Sequence, residues 1–516
     1  KISYRKMKFF LFIALCCLFI SSIGTKCEAK RPHIVMFVID DLGWTDVGYR
    51  NGSGMLTPNL DSLKESGITL DRYYTQPTCS PSRAALMQGR YPFRTGLQHY
   101  TTIKPASTAH MPLDQPTLPE LLGKAQYHSH HVGKWHLGYA SFNYTPTARG
   151  FLSHAGYYQG MVDYYNKTFR IPQKFLPFVK VEGYDWWHNR TVATKVNGTF
   201  NLFLMEDQVN NVLNNYQESG ADSRDEPLFL YYAHQIVHVP LEVPQEYIDY
   251  CHHINDTNRQ IYCGMLYALD LSIAKFIQTL KDKNMWDDTL LIVSTDNGGD
   301  PDYGSYPESA GCNFPLRAGK GTVFEGGVRS IGFVNGGDNV IPASRRGSTI
   351  DGLAHIVDWM PTILNAAQAG DLLPDNVDGV DLTDAILKGK ETQRVSIPLD
   401  INFNVSIPDS GQQYSVLMND GWKLVHHLVQ GKTLNYDGWY PCLPSTPIPI
   451  EQAPDGNWLF NVFEDPEEKN NLYSTRPDQV ERLTKVLNAY VKSGYMAPQP
   501  DLPHPDGFPQ YHDGVW

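Results

Sequence analysis

A chain of 516 residues with 19% charged residues, 12% aromatics and a net charge of −12 can bury a large core and divide into two domains. That composition excludes a disordered polypeptide. The acidic balance argues against a surface that grips nucleic acid or another polyanion over the whole molecule, and leaves room for local basic pockets only.

The first residues read as a secretory signal: Met7-Lys8, the apolar run Phe9–Ile20, then small residues across Ser21–Gly24. Lys1–Lys6 would lie upstream of that start. The twelve residues of the run are fewer than the ~20 that span a bilayer, and no later run without charges is as long. The sequence therefore predicts a leader over residues 1–29 and no membrane span. Seven N-x-S/T sites, at Asn51, Asn143, Asn166, Asn189, Asn197, Asn255 and Asn404, fit a lumenal or extracellular address, lysosomal or secreted. Asn143 is weakened by Pro146. Of eight cysteines, Cys16 and Cys17 fall in the leader and Cys27 near its end. With Cys79 set aside, Cys251, Cys263, Cys312 and Cys442 form an even set for an oxidising compartment. Such a set allows three pairings. The short polar loop between Cys251 and Cys263 favours a local pair, which would leave Cys312 for Cys442.

His33–Ile39 is a continuous apolar run, the mark of a strand buried on both faces, and it ends in Asp40-Asp41. Adjacent carboxylates at a strand end are costly unless a cation sits there, although a solvated Asp-Asp turn is the bland alternative. Thr57-Pro58 opens a helix that Gly67 closes, with Thr57 as N-cap and Pro58 at the first helical position. Ile68–Tyr73 reads as the next strand and delivers the chain to Cys79-Ser80-Pro81-Ser82-Arg83. The residues after Pro81 look helical, which puts Cys79 at a helix N-terminus, where backbone N–H groups favour an anion. Val132–Gly138 carries Lys134 and His136 two apart, a spacing that on an extended chain projects both to one side. Residues 139–200, rich in aromatics and glycines without strong periodicity, read as surface loops rimming a site.

Met205–Tyr216 reads as a helix and Pro227–Tyr232 as another buried strand. That strand leads into His234 and His238, and a histidine just past a strand end is well placed for chemistry in an open α/β sheet. Tyr262–Leu280 is an amphipathic helix whose stripe of Leu266, Leu269, Ile273, Ile277 and Leu280 is core. Thr289–Ser294 is a second continuous apolar strand, and Asp296-Asn297 stand just beyond it. Two strands thus end in hard oxygen donors without histidine or thiolate, a set that suits Ca²⁺ or Mg²⁺ over zinc. The glycine-rich basic loop Asn313–Gly321 contains Lys320 but lacks the GxxxxGK[ST] pattern and context of a phosphate-binding loop. After about Arg394 the texture changes to short strand-like pieces, Tyr414–Met418, Trp422–Val425 and Trp458–Asn461. A turn over Asp465–Leu472 and a helix over Pro477–Val491 follow. A proline-rich tail after Met496 is expected to drape over the surface.

Cys79-Ser80-Pro81-Ser82-Arg83, continued by Gly89–Pro92 and Arg94–Gly96, resembles the sulfatase signature, and Gly133–Gly138 matches the second motif of that family. Gln88 departs from the threonine usual in the family but lies outside the core of the signature. His355–Leu364, Asp378–Leu382 and the Asp465–Leu472 turn fall at further sulfatase landmarks, so the resemblance covers almost the whole mature chain. Gly96–Tyr100, His238–Tyr247 and Asn313–Lys320 look most like the arylsulfatase B branch.

The resemblance implies an α/β fold with an alkaline-phosphatase-like mixed sheet flanked by helices over residues 30–395, and a smaller α+β C-terminal domain over residues 396–516. It implies that a formylglycine-generating enzyme oxidises Cys79 to an aldehyde whose hydrate attacks sulfur. One hydroxyl of such a hydrate attacks and the other expels the sulfate, which a plain thiol cannot do. It further implies one Ca²⁺ held by Asp40, Asp41, Asp296, Asn297 and modified Cys79. Arg83 and Lys134 would stabilise the hydrate and His136 would take a proton as the sulfated intermediate collapses. His238 and Lys320 would bind sulfate and help protonate the leaving oxygen. The implied substrate is a sulfated sugar such as N-acetylgalactosamine 4-sulfate. A small glycoside such as a glucosinolate is the alternative. A phosphoesterase or phosphonate hydrolase, or a non-catalytic carbohydrate-binding relative, stands behind these.

Overall fold

A computed structural model describes residues 30–50, 54–98, 103–171, 181–218, 226–301, 309–402, 413–427, 438–442, 456–500 and 503–516. The leader and the sites at Asn51 and Asn404 lie outside the described residues. Asn143, Asn166, Asn189, Asn197 and Asn255 are all exposed.

Ten strands form the main sheet: β1 His33–Ile39, β2 Ile68–Leu70, β3 His128–Lys134, β4 Ser153–Tyr157, β5 Trp187–His188, β6 Thr191–Val192, β7 Leu228–Ala233, β8 Thr289–Thr295, β9 Gly332–Gly336 and β10 Ser348–Ile350. Their spatial order is β10-β2-β9-β8-β1-β7-β3-β4-β5-β6. The central run β8-β1-β7-β3-β4 is parallel, whereas β9 and β5 pair antiparallel with its two outer strands. β1 shows why the centre must be apolar throughout. Ile34, Met36 and Val38 enter the core on one face, and Val35, Phe37 and Ile39 the core on the other. Helices α1 Pro58–Ser66, α2 Cys79–Gln88, α3 Leu118–Lys124, α4 Asn201–Glu218, α5 Thr257–Asp282 and α6 Trp359–Ala366 cover the sheet. Leu86, Leu121 and Ile363 belong to the first core, Met205, Leu266 and Ile273 to the second.

A second, antiparallel sheet joins β11 Ser396–Asn402, β12 Gln413–Met418, β13 Trp422–His427 and β14 Asn457–Asn461. Helix α7, Pro477–Lys492, packs Leu483 and Leu487 into the same core as Ile397, Val416, Leu424 and Leu459. No helix among the described residues is long and apolar enough to cross a membrane.

Four expectations change. Thr57 occupies the N-cap but its side chain caps nothing, accepting instead from Gly48 N and donating to Asp61. Residues 139–200 are not merely loops. They supply β4, β5 and β6 to the main sheet and bury Tyr157, Tyr164, Asp185 and Trp186. Lys134 ends β3, and His136 turns away with a left-handed φ of 55°, so the two do not share one extended strand. The tail is a tied strap. Met496 N bonds to Phe93 O, Gln499 N to Gly96 O and Trp516 N to Tyr184 O, with Phe508 and Trp516 buried.

Both disulfides form as the short-loop reading favours, Cys251–Cys263 and Cys312–Cys442, across sequence separations of 12 and 130. Loop-entropy arithmetic gives about 3 kcal/mol for a ring of ~15 residues and about 4.7 for ~100. Removing Cys312–Cys442 by double alanine substitution should therefore cost about 1–2 kcal/mol more in denaturant titration than removing Cys251–Cys263. Equal or reversed losses refute that ranking.

Candidate active site

The register of the central strands explains why separated motifs meet. Ile39 pairs with Thr295, so Asp40-Asp41 and Asp296-Asn297 leave adjacent strand ends side by side. On the other flank Ala233 of β7 pairs with Val38 of β1 and with Gly133 of β3, which brings Lys134 to the same end. β1 lies between strands that come later in the chain on either side, and such switch points open a crevice at the carboxyl ends of the strands. The left-handed φ of 56° at Asp41 turns the chain there, and Asp41 N donates to Asp296 Oδ1 at 3.3 Å.

Cys79 is the first residue of α2, after Thr78 in extended conformation, and is buried with Sγ 3.6 Å from Asp40 Oδ1. One turn later Arg83 is fully buried. Its Nε donates to Asp296 Oδ2 at 3.0 Å, its Nη2 contacts the same oxygen at 2.9 Å, and its Nη1 donates to Lys134 O and Tyr231 Oη. Lys134 Nζ donates to Asp40 Oδ2 at 2.6 Å. Lys320 Nζ donates to Asp41 Oδ2 at 2.6 Å, and His238 Nε2 is 3.6 Å from that oxygen. The Lys320 loop arrives because glycines let backbones touch. Gly298 N donates to Gly327 O, and a Cβ on Gly298 would meet Gly326 O at 1.9 Å.

Both histidines have their proton positions set by carbonyl oxygens, which only accept. His238 Nδ1 donates to Val239 O at 2.8 Å, leaving Nε2 toward Asp41. His136 Nε2 donates to Ile103 O at 2.9 Å, leaving Nδ1 buried without a hydrogen-bond partner among the described residues. Gly160 packs under that imidazole, since a Cβ there would meet Cε1 at 2.7 Å.

Charge follows the same geometry. Burial and Asp296 push Asp40 up to about 8, with Lys134 pulling the other way. Burial also acts to raise Asp41, but Lys320 and His238 outweigh it and hold its carboxyl below the usual range. Burial opposes the charge of Lys320, and Asp41 more than compensates. Burial lowers His238 to about 3, helped by Lys320, and holds His136 well below the ordinary histidine range, helped by Lys134. Both imidazoles are neutral at physiological pH. Burial raises the Cys79 thiol, so the unmodified side chain is not a thiolate.

Asp40, Asp41, Cys79 and Asp296 each offer a ligand atom, and these atoms all lie within 4.8 Å of one another. Asn297 Oδ1 is buried without a hydrogen-bond partner among the described residues, while its Nδ2 donates to Asp41 Oδ1 and Gly298 O. Gathered carboxylates and an orphaned amide oxygen fit a hard divalent cation. All ten sequence-predicted site residues therefore gather at this one end of the sheet. Sequence reasoning missed Tyr231, inside an apolar run, whose hydroxyl accepts from Arg83. It also missed Tyr157 at the end of β4, buried without a hydrogen-bond partner among the described residues and within the field of Asp40 and Arg83.

An α/β sheet with a buried nucleophile candidate, an acidic cation cluster and three cations at its carboxyl end defines a hydrolase of anionic esters. The sulfatase family model matches residues 32–369, and the chain belongs to that family. It is 32% identical to mouse arylsulfatase J over 505 residues, covering 94% of this chain and 80% of that protein. It is 31% identical to human N-acetylgalactosamine-6-sulfatase over 388 residues, 72% and 69% of the two chains. The crystal structure of Ps i-CgsB in complex with k-i-k-neocarrahexaose superposes with a TM-score of 0.70 at 25% identity, covering 91% of this chain and 94% of that one. The protein is a sulfatase enzyme that cleaves sulfate esters.

Proposed function

We propose that this sulfatase removes sulfate from a sugar, with N-acetylgalactosamine 4-sulfate at a glycosaminoglycan end as the leading substrate, by way of formylglycine at position 79. The observation that carries the reading is the convergence of Cys79, Arg83, Lys134, His136, His238 and Lys320 on one acidic cluster. Asp40, Asp41, Asp296, Asn297 and modified Cys79 would hold one Ca²⁺, which when bound neutralises the carboxylates and draws charge from the sulfate oxygens.

Arg83 and Lys134 hold the hydrate of residue 79 at the helix N-terminus. His136, neutral and with Nδ1 free, takes a proton from the second hydroxyl as sulfate departs and the aldehyde returns. Lys320 grips the sulfate and supplies the proton to the leaving alcohol oxygen, and His238, with its unprotonated Nε2 beside Lys320 and Asp41, binds with it and relays that proton. Residues 30–395 form the catalytic domain and 396–516 the smaller one. The route is secretory, to the lysosome or outside the cell, with a formylglycine-generating enzyme as maturation partner.

Catalytic efficiency on a panel tests the substrate: 4-sulfated and 6-sulfated N-acetylgalactosamine disaccharides, a glucosinolate, a nitrophenyl sulfate and a nitrophenyl phosphate. The 4-sulfated sugar and the aryl sulfate should turn over. A glucosinolate turned over in preference to an inert 4-sulfated sugar replaces the substrate and leaves the mechanism standing. A phosphate ester preferred to every sulfate overturns the reading of the site.

A further inference from the structure

A groove of about 410 Å³ lies between helix α4 and the sheet, at the far end of β3 from Lys134. β3 starts at His128 in the groove and ends at Lys134, and at ~3.3 Å per residue these ends are roughly 20 Å apart. The volume is in the range of small-ligand sites, about 300–1,000 Å³. Tyr216 and Val212 form its buried floor, and His128, His130 and Ser153 one wall. Gln208, Asn211 and Asn215 recur at helical spacing and form the other wall. Among the described residues no lysine, arginine, aspartate or glutamate lines it.

That lining selects a ligand chemistry. Without a cation the groove has no grip on an anion. Its imidazoles do not converge on a metal, since the donor clusters found among the described residues both lie at the active site. Amides offer donors and acceptors together, and an aromatic floor offers an apolar face, which is what an uncharged, hydroxyl-rich sugar ring matches. Asn211 and Asn215 make no side-chain hydrogen bond among the described residues, so their amides are free to do so.

Asn189 stands at the lip, and Asn189-Arg190-Thr191 is a glycosylation sequence. Its orientation is fixed. Its Oδ1 accepts from His154 N at 2.9 Å, its own N donates to His154 O at 2.8 Å, and its O accepts from Tyr158 Oη at 2.8 Å. Among the described residues only its Nδ2, the atom that would carry a glycan, remains uncommitted.

We propose that the groove is a saccharide-binding site and that its occupant is the N-linked glycan of Asn189 itself. The glycan comes from a lipid-pyrophosphate donor: the bond from its first sugar's C1 to the pyrophosphate oxygen breaks as the C1–Nδ2 bond forms, and the lipid pyrophosphate leaves with the amide proton lost from Nδ2. Its first sugars then lie against Tyr216 between the two walls. The inference rests on the secretory route proposed above.

The test uses the full chain made in glycosylating eukaryotic cells, treated with an endoglycosidase under native conditions and followed site by site by glycopeptide mass spectrometry. The Asn189 glycan should be released at least about tenfold more slowly than those at Asn166, Asn197 and Asn255. The Asn211→Ala/Asn215→Ala variant should bring it to the rate of the others and leave sulfatase activity unchanged. Equal rates in the unmodified protein, or no response to the double substitution, overturn the proposal. A bare Asn189 beside occupied sites overturns it alone, whereas a chain bare at every site overturns the secretory route with it. If added chitobiose binds the wild type and a Thr191→Ala variant equally, the occupant is an external sugar and the assignment fails.

Discussion

Cys79→Ala should reduce turnover of every sulfate ester by roughly four to six orders of magnitude, the scale of losing a nucleophile, and leave the melting temperature nearly unchanged. The structural cost is small because Sγ makes one long polar contact, 3.6 Å to Asp40, and alanine fits the first turn of α2. Burial raises the thiol, so an unmodified Cys79 would be a neutral, poor nucleophile. Active enzyme should accordingly carry formylglycine. The tryptic peptide would lose sulfur and two hydrogens, gain oxygen, and weigh less than the cysteine form. Ordinary thiol oxidation would make it heavier. Fully active protein with an intact thiol contradicts the mechanism, and co-expression with a formylglycine-generating enzyme should raise specific activity in proportion to conversion.

The sheet was legible wherever one rule governed a stretch. β1, β7 and β8 are buried on both faces and therefore read as unbroken apolar runs within a residue of their bounds. Elements whose ends depend on polar caps were harder. Helix α5 begins at Thr257, five residues before the start expected at Tyr262, because Asp256 accepts from Arg259 N and sustains a polar first turn. Residues 139–200 hid three strands because β4, β5 and β6 are only two to five residues long. The tail hid its docking because prolines and isolated aromatics have no period, yet Trp516 Nε1 reaches Phe169 O.

The site divides along the same line. Asp40-Asp41 and Asp296-Asn297 are visible because charge at the end of an apolar strand has few bland explanations. Their meeting follows from register, which one strand's sequence does not encode. Tyr231 and Tyr157 were invisible because a tyrosine in a buried run looks like core until its hydroxyl is placed. His234 and His238 differ for a reason sequence cannot supply. His234 packs between Phe37 and Tyr232, away from the cluster, while His238 faces Asp41.

Lys423→Met should destabilise the fold by about 3–5 kcal/mol, the scale of stranding a buried charge. Lys423, on β13, is fully buried, with Nζ 2.9 Å from Glu325 Oε1 and 2.8 Å from Glu468 Oε1. The second contact is an ion pair. Glu468 Oε2 accepts from Glu325 N, and Glu325 Oε2 accepts from Tyr74 Oη. The cluster thus ties the second sheet to the turn that follows the Lys320 loop. Burial pushes Glu468 up to about 7 despite Lys423, with Glu325 adding to the rise. Between its ordinary 4.5 and about 7 the folded state holds more of this proton than the unfolded state, so this group's contribution to stability falls as pH rises through that window. Losing the ammonium removes the main group that holds Glu468 down and raises its carboxyl further. The penalty of Lys423→Met should therefore be largest near pH 8 and shrink toward pH 5 in denaturant titrations. Adding Glu468→Gln, which keeps the shape and removes one charge, should recover a large part of the loss and flatten its pH dependence. A loss that is constant from pH 5 to 8, or untouched by Glu468→Gln, would mean that Lys423 acts through packing of its stem and not through charge.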